Sequence, residues 1–168
     1  VSDRAALRAA LTQARQQFGP ITGAIHSAMV LDNHPLTAMP AKAYRTVLAP
    51  KVAGSVALIE ALREDPLDFV LFFSSLASFA PTPGSANYVA ACAFEDAFAT
   101  YLQDVQGLSS SVINWGFWGD VGQLSTEVGR ARLAQWGVQA MGRALGLRSF
   151  AMVWQRGLRQ ALPLRASA

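Results

Sequence analysis

Between positions 67 and 74 the apolar residues are consecutive rather than alternating, with Phe69-Val70-Leu71-Phe72-Phe73 at the centre. A strand with one face in water alternates apolar and polar residues with a period of two. An unbroken run of this length therefore predicts a strand buried on both faces. At five residues it is also far short of the ~20 that a helix needs to span a bilayer. Segments of helical spacing surround it. Residues 4–18 place Leu7, Ala10, Leu11, Ala14 and Phe18 on one stripe, and Gly19-Pro20 stops that helix. Residues 21–28 form a short apolar strand ending in small side chains. Residues 41–63 read as one long helical stretch burying Tyr44, Val47, Leu48, Val52, Ser55, Val56, Ile59 and Leu62, with Pro50 as a kink or boundary.

The same alternation continues downstream. Residues 75–87, rich in Ser, Pro and Gly, read as loop, and 88–104 as a helix with Gly107 in its C-cap region. Residues 110–115 form another strand, 116–122 a Gly- and Trp-rich loop, and 127–136 and 150–160 two final helices. Strand, helix, strand, helix, strand is the pattern of a doubly wound α/β fold with a parallel sheet. The 168 residues suffice for one domain. With 52% hydrophobic and 15% charged residues, disorder is excluded. The single cysteine, Cys92, excludes an internal disulfide and a cysteine-based zinc site, no metal is expected, and a reducing cytoplasm suits it. Val1 is not preceded by an initiator Met or a signal peptide, so the start reads as a cut from a longer chain.

The net charge of +3 is unevenly placed. No Asp or Glu follows Glu127, whereas Arg130, Arg132, Arg143, Arg148, Arg156, Arg159 and Arg165 do. Such a run is usually a solvated helix face, and no aromatic residues interleave with it on a strand. Neither nucleic acid nor membrane is expected as a partner.

In doubly wound sheets, ligands sit beyond the carboxyl ends of the strands. Those ends are His26-Ser27-Ala28, Ser74-Ser75 and Asn114-Trp115-Gly116, all small or polar except the tryptophan. Ser75 closes a strand and Tyr88, thirteen positions on, opens a helix, so the loop between them can turn both toward one crevice. A free tyrosine, with a pKa of about 10, is a poor acid, and a nearby ammonium favours its phenolate. Of the two lysines, Lys42 and Lys51, the second lies on the preceding crossover within reach. A serine hydroxyl holding a carbonyl oxygen while Tyr88 protonates it is then a workable acid catalyst. Taken singly, a serine there is more often a turn former and a tyrosine a packing residue.

Several stretches together resemble the ketoreductase domains of modular polyketide synthases, in the short-chain dehydrogenase/reductase superfamily. They are Gly23 through Ala28, Ala49 through Ser55, Leu67 through Ser75, Pro83 through Tyr88, Ala93 through Ala99, and Val112 through Gly119. The segment around Cys92 is most similar to ketoreductases of trans-acyltransferase synthases. The resemblance implies a Rossmann-like sheet, Tyr88 as proton donor, Ser75 as the carbonyl-orienting hydroxyl and Lys51 as the amine of the catalytic set. It implies that His26, Ser27, Ala28, Asn114, Trp115 and Gly116 border the nicotinamide of NADPH. Leu31, Asp32 and Asn33 are similar to the family's Leu-Asp-Asp mark, and Pro83 and Asn87 match the other marks of that stereochemical class. Ala80 stands where the opposite class carries Trp. The implied reaction reduces a β-ketoacyl thioester, carried on an acyl carrier protein, to a D-configured β-hydroxyacyl thioester.

Two departures accompany the resemblance. Cys92 occupies the place, one helical turn beyond Tyr88, where the family usually carries Asn, and a thiol cannot reproduce an amide's donor and acceptor. No Gly-x-Gly-x-x-Gly occurs. Gly116-x-x-Gly119-x-x-Gly122 reads as the loop after a late strand. The family's fingerprint and the N-terminal strands carrying it are expected upstream of Val1. Neighbouring synthase domains and that N-terminal part of the domain are then the expected partners. The alternative reading is a catalytically inactive, ketoreductase-like structural module of a synthase.

Overall fold

The computed structural model describes residues 1–81, 83–119 and 137–166. The chain runs through α1 (Arg4–Phe18), β1 (Gly23–His26), α2 (Ala41–Lys51), α3 (Ala53–Ala61), β2 (Phe69–Ser75), α4 (Ala86–Asp104) and β3 (Ser110–Trp115). It continues through β4 (Val138–Gln139), α5 (Arg143–Arg156), β5 (Gln160–Ala161) and β6 (Arg165–Ala166). Strands β1, β2, β3 and β5 pair in that order, all parallel, and β4 pairs antiparallel with β6 in a small separate ribbon.

Strand β2 sits inside the sheet and is buried on both faces, as its continuous apolar run requires. Val70 and Phe72 point to one face, packing with Val112, Ala99 and Leu102 under α4. Leu71 points to the other and meets Ile113, Trp115, Met141 and Val153 under α5. The period of two thus sorts consecutive apolar side chains into two cores. Burying a side chain of this size stabilises by about 1.5–3 kcal/mol, so the five-residue run is the main anchor of the sheet.

Several element boundaries differ from the sequence expectation, each for a local reason. The long helix over 41–63 is two helices, broken at Val52 (φ −90, ψ −71) rather than at Pro50. Pro50 has no N–H to give Thr46, which weakens the last turn of α2, and the break follows two residues later. The helix expected over 88–104 starts earlier, at Ala86. The helix expected over 150–160 spans Arg143–Arg156, and Gln160–Ala161 is a strand instead. Gly157 ends that helix in the left-handed conformation (φ 58, ψ 38), which glycine adopts without a Cβ penalty. The chain is thereby turned back to lay β5 against β3. The helix expected over 127–136 lies outside the described residues, as does Gly122. Among the described residues, no helix is long and apolar enough to cross a membrane. Arg143, Arg148, Arg156, Arg159 and Arg165 are exposed, and Arg159 pairs with Asp104.

Candidate active site

The carboxyl ends of β1, β2 and β3 lie side by side, because the parallel register sets His26 opposite Phe72 and Ser75 opposite Trp115. Ser75 ends β2 and at once caps a short 3-10 turn, Leu76–Ser78. Its Oγ accepts from the Ala77 N–H at 3.1 Å and its carbonyl from the Ser78 hydroxyl at 2.9 Å. Forming this turn leaves the serine hydroxyl beside Tyr88. Tyr88 stands in the first turn of α4, where its N–H is satisfied by Asn87 Oδ1 at 2.9 Å. Its phenol has the Ser75 hydroxyl and the Cys92 thiol as side-chain hydrogen-bond neighbours. The structure brings the serine and the tyrosine together, as their spacing suggested.

Lys51 is 1% exposed, an unusual position for a lysine. The end of α2 drives it under the sheet's rim, where Nζ donates to the Phe73 carbonyl at 2.8 Å and to Glu95 Oε2 at 2.6 Å. Glu95 is itself fully buried, and its other oxygen lies 2.9 Å from His26 Nδ1, in ion-pair range but out of line for a hydrogen bond. Sequence reasoning passed over Glu95. The signal was available: Tyr88, Cys92 and Glu95 fall at i, i+4 and i+7, so they share one helical stripe, and a carboxylate on a buried stripe needs a partner.

The electrostatics differ from the sequence expectation. Tyr88 is pushed well above the ordinary tyrosine range, first by burial and then by the neighbouring Cys92 and Glu95; the Ser75 hydroxyl opposes the shift. Burial pushes the Cys92 thiol up to about 11, against the opposing field of Lys51. Lys51 thus acts on Cys92, and the expected lowering of Tyr88 by an ammonium is not what its surroundings do. The main reason is burial of the phenol, to which Cys92 and then Glu95 add. Cys92 is fully buried and protonated at neutral pH.

The remaining candidate residues divide by exposure. At the end of β1, His26 turns inward while Ser27 is exposed and Ala28 half-buried. Asn114 is fully buried: Gln160 Nε2 donates to its Oδ1 at 2.8 Å, and its Nδ2 faces both Asp96 oxygens (2.9 and 3.0 Å) and Ser78 Oγ (2.9 Å). An amide has two N–H bonds, so these contacts consume them, and the side chain braces β3 against α4 and the serine turn. Gly116 passes so close to Pro163 that a Cβ would sit 2.7 Å from its carbonyl oxygen, which explains the glycine. Trp115 packs between Phe73, edge-on at a centroid distance of 5.3 Å, and Trp118, tilted at 5.0 Å. Its Nε1 is buried with no partner among the described residues.

The two halves of the expected stereochemical signature come together. Asn87 Nδ2 donates to the Asp32 carbonyl at 2.8 Å, and the His34 N–H donates to the Gly84 carbonyl at 3.0 Å. The loop with Leu31, Asp32 and Asn33 is thereby tied to the turn with Pro83. Leu31 and Asp32 are half-buried there, and Asn33 and Pro83 exposed. Asp32 and His34 form a partly exposed pair at 2.8 Å.

A serine and a tyrosine thus meet at the strand ends of a parallel α/β sheet, with a lysine buried behind them. The chain belongs to the KR domain family, whose model matches residues 1–120, and it is a ketoreductase domain sequence of the polyketide synthase kind. It is 41% identical over 148 residues to polyketide synthase ThaG of Burkholderia thailandensis, covering 88% of this chain and 3% of that protein. It is 43% identical over 137 residues to polyketide synthase PksN of Bacillus subtilis, covering 82% of this chain and 2% of that protein. Among solved structures, a ketoreductase domain from the bacillaene assembly line superposes with a TM-score of 0.91 at 29% identity. That match covers 99% of this chain and 41% of the other. The chain thus spans a few per cent of the length of these curated relatives, and less than half of the solved domain.

Proposed function

We propose that these residues perform the proton-transfer half of an NADPH-dependent reduction, converting a β-ketoacyl thioester on an acyl carrier protein to a D-configured β-hydroxyacyl thioester in polyketide biosynthesis. The synthase is proposed to be of the trans-acyltransferase kind. The observation that carries the reading is the convergence of Tyr88 and Ser75 at the mouth of the sheet, with Lys51 anchored behind Cys92. The nicotinamide end of the cofactor suits these strand ends, where Ser27 and Ala28 line the rim and the Trp115 Nε1–H, without a partner among the described residues, offers a buried donor. Its pyrophosphate end finds no Gly-rich turn in this sequence. The proposed partners therefore include an N-terminal cofactor-binding part and neighbouring synthase domains. When bound, the cofactor supplies a hydride to the β-carbon.

The chain's own groups supply the rest. The Ser75 hydroxyl donates to the substrate carbonyl and orients it. Because its surroundings favour the neutral phenol, Tyr88 is protonated throughout the physiological range and always ready to donate. An alkoxide is a stronger base than a phenolate, so transfer from Tyr88 to the nascent oxyanion runs downhill. The tied loop at residues 31–34 flanks this mouth and is proposed to select the face presented to the hydride.

Cys92 favours a second reading, an inactive structural module, because it stands in place of an amide. Incubating the chain in its native polypeptide with NADPH and a β-ketoacyl N-acetylcysteamine thioester separates the two. Chiral chromatography is expected to show the D-alcohol in excess. The L-alcohol would refute the stereochemical assignment, and absence of alcohol from folded, cofactor-saturated protein would favour the structural module.

A further inference from the structure

The catalytic assignment of Tyr88 and Lys51 leaves a buried carboxylate unexplained. Glu95 lies on the Tyr88–Cys92 stripe of α4, is fully buried, and engages Lys51 Nζ at 2.6 Å with one oxygen while the other faces His26 Nδ1 at 2.9 Å. His26 Nε2 has no partner among the described residues, and a Cβ at Gly54 would lie 3.5 Å from it. A carboxylate removed from water needs compensation, and Lys51 supplies it. Compensation is mutual, so the lysine's field is spent on the carboxylate.

We propose that Glu95 is a positioning residue of the reductase, its buried carboxylate clamping the Lys51 ammonium against the Phe73 carbonyl and tempering the charge that Lys51 presents to Cys92 and Tyr88. The clamp fixes the end of a flexible four-carbon side chain at two points, one on β2 and one on α4. His26 closes the far side, so the carboxylate cannot swing away from the lysine without losing its second neighbour. The groups facing Glu95 are Lys51 from α2, His26 from β1 with Val1 beyond it against Gly54, and Cys92 and Tyr88 along α4. Among the described residues, strand β2 adds the Phe73 carbonyl and the Ser74 hydroxyl beside Cys92, and α3 turns its single charged residue, Glu60, outward to Arg4. The directions of influence agree with this arrangement: Lys51 favours the Cys92 thiolate, whereas Glu95 opposes both the thiolate and the Tyr88 phenolate.

The inference rests on the catalytic reading above, but its test is independent of turnover. Cys92 is the chain's one cysteine and lies in the same field, so the pH dependence of its 13Cβ chemical shift in cysteine-labelled protein reports the clamp without interference from the tyrosines. Glu95→Gln keeps the shape and an acceptor oxygen while removing the charge. It is expected to move the Cys92 titration down by about one pH unit or more, because Lys51 then acts uncompensated. Adding Lys51→Met to that variant is expected to reverse the shift. Glu95→Asp draws the charge back from the lysine and is expected to move the titration the same way by less, which keeps the test alive if Glu95→Gln does not fold. In the native polypeptide, the alkaline limb of kcat against pH is expected to move down with Glu95→Gln. A Cys92 titration at the wild-type position in every folded variant overturns the proposal. Turnover unaffected by Tyr88→Phe would instead overturn the catalytic reading beneath it.

Discussion

Lys51 and Glu95 hold each other in a place neither could occupy alone. Two buried charges 2.6 Å apart are tolerable as a pair, but removing one leaves the other desolvated and uncompensated. Lys51→Met is therefore expected to destabilise the fold by about 3–5 kcal/mol in urea unfolding. A loss near zero would mean that the pair is open to water. A double replacement by apolar residues is expected to cost much less, since it strands no charge. At this scale the positions of Ser75 and Tyr88 were legible, because strand ends and helix starts follow from local pattern, whereas the burial of Lys51 was not. Glu95 was harder to see. Its meaning depends on a lysine 44 positions away, and no local pattern reports which buried residue a carboxylate will meet. The direction of the Tyr88 shift was equally out of sight, since burial, its largest cause, is set by the whole fold.

Among the elements, the carboxyl ends of β2 and β3 carry the site, and Asn114 locks them. Its amide ties β3 to Asp96 on α4, to Ser78 in the turn after Ser75, and to Gln160 on β5. Asn114→Ala would leave Asp96 and Ser78 without this donor and Gln160 without this acceptor. Losing buried hydrogen bonds to a charged group costs about 1.5–3 kcal/mol, a range that urea unfolding resolves. Unchanged stability would show that water replaces the amide. The element pattern was largely visible in advance because apolar periodicity marks strands and helices alike. Boundaries moved where a single residue outweighed the pattern. Gly157 stopped α5 early through its left-handed conformation, and β5 is too short, at two residues, to leave a periodic trace. Lys51 closes α2 directly before the break at Val52 and is buried there, a placement that helical periodicity alone does not show.

For the whole molecule, the parallel order β1-β2-β3-β5 brings together side chains that are far apart in sequence. Ser75 and Asn114 meet because parallel strands end on the same edge, and the start of α4 adds Tyr88 beside Ser75. That topology was readable from the run at 69–73 and the alternation around it. The separate β4–β6 ribbon was not, because two-residue strands carry no period. This edge is proposed to deliver the proton to a β-ketoacyl thioester through Tyr88. The direct measurement is NADPH consumption with such a thioester in the native polypeptide, comparing wild type with Tyr88→Phe, which removes the donating hydroxyl and leaves the ring. Loss of a positioned general acid is expected to lower kcat by about 10²–10⁴-fold while the protein stays folded. Wild-type turnover by folded Tyr88→Phe would contradict the claim.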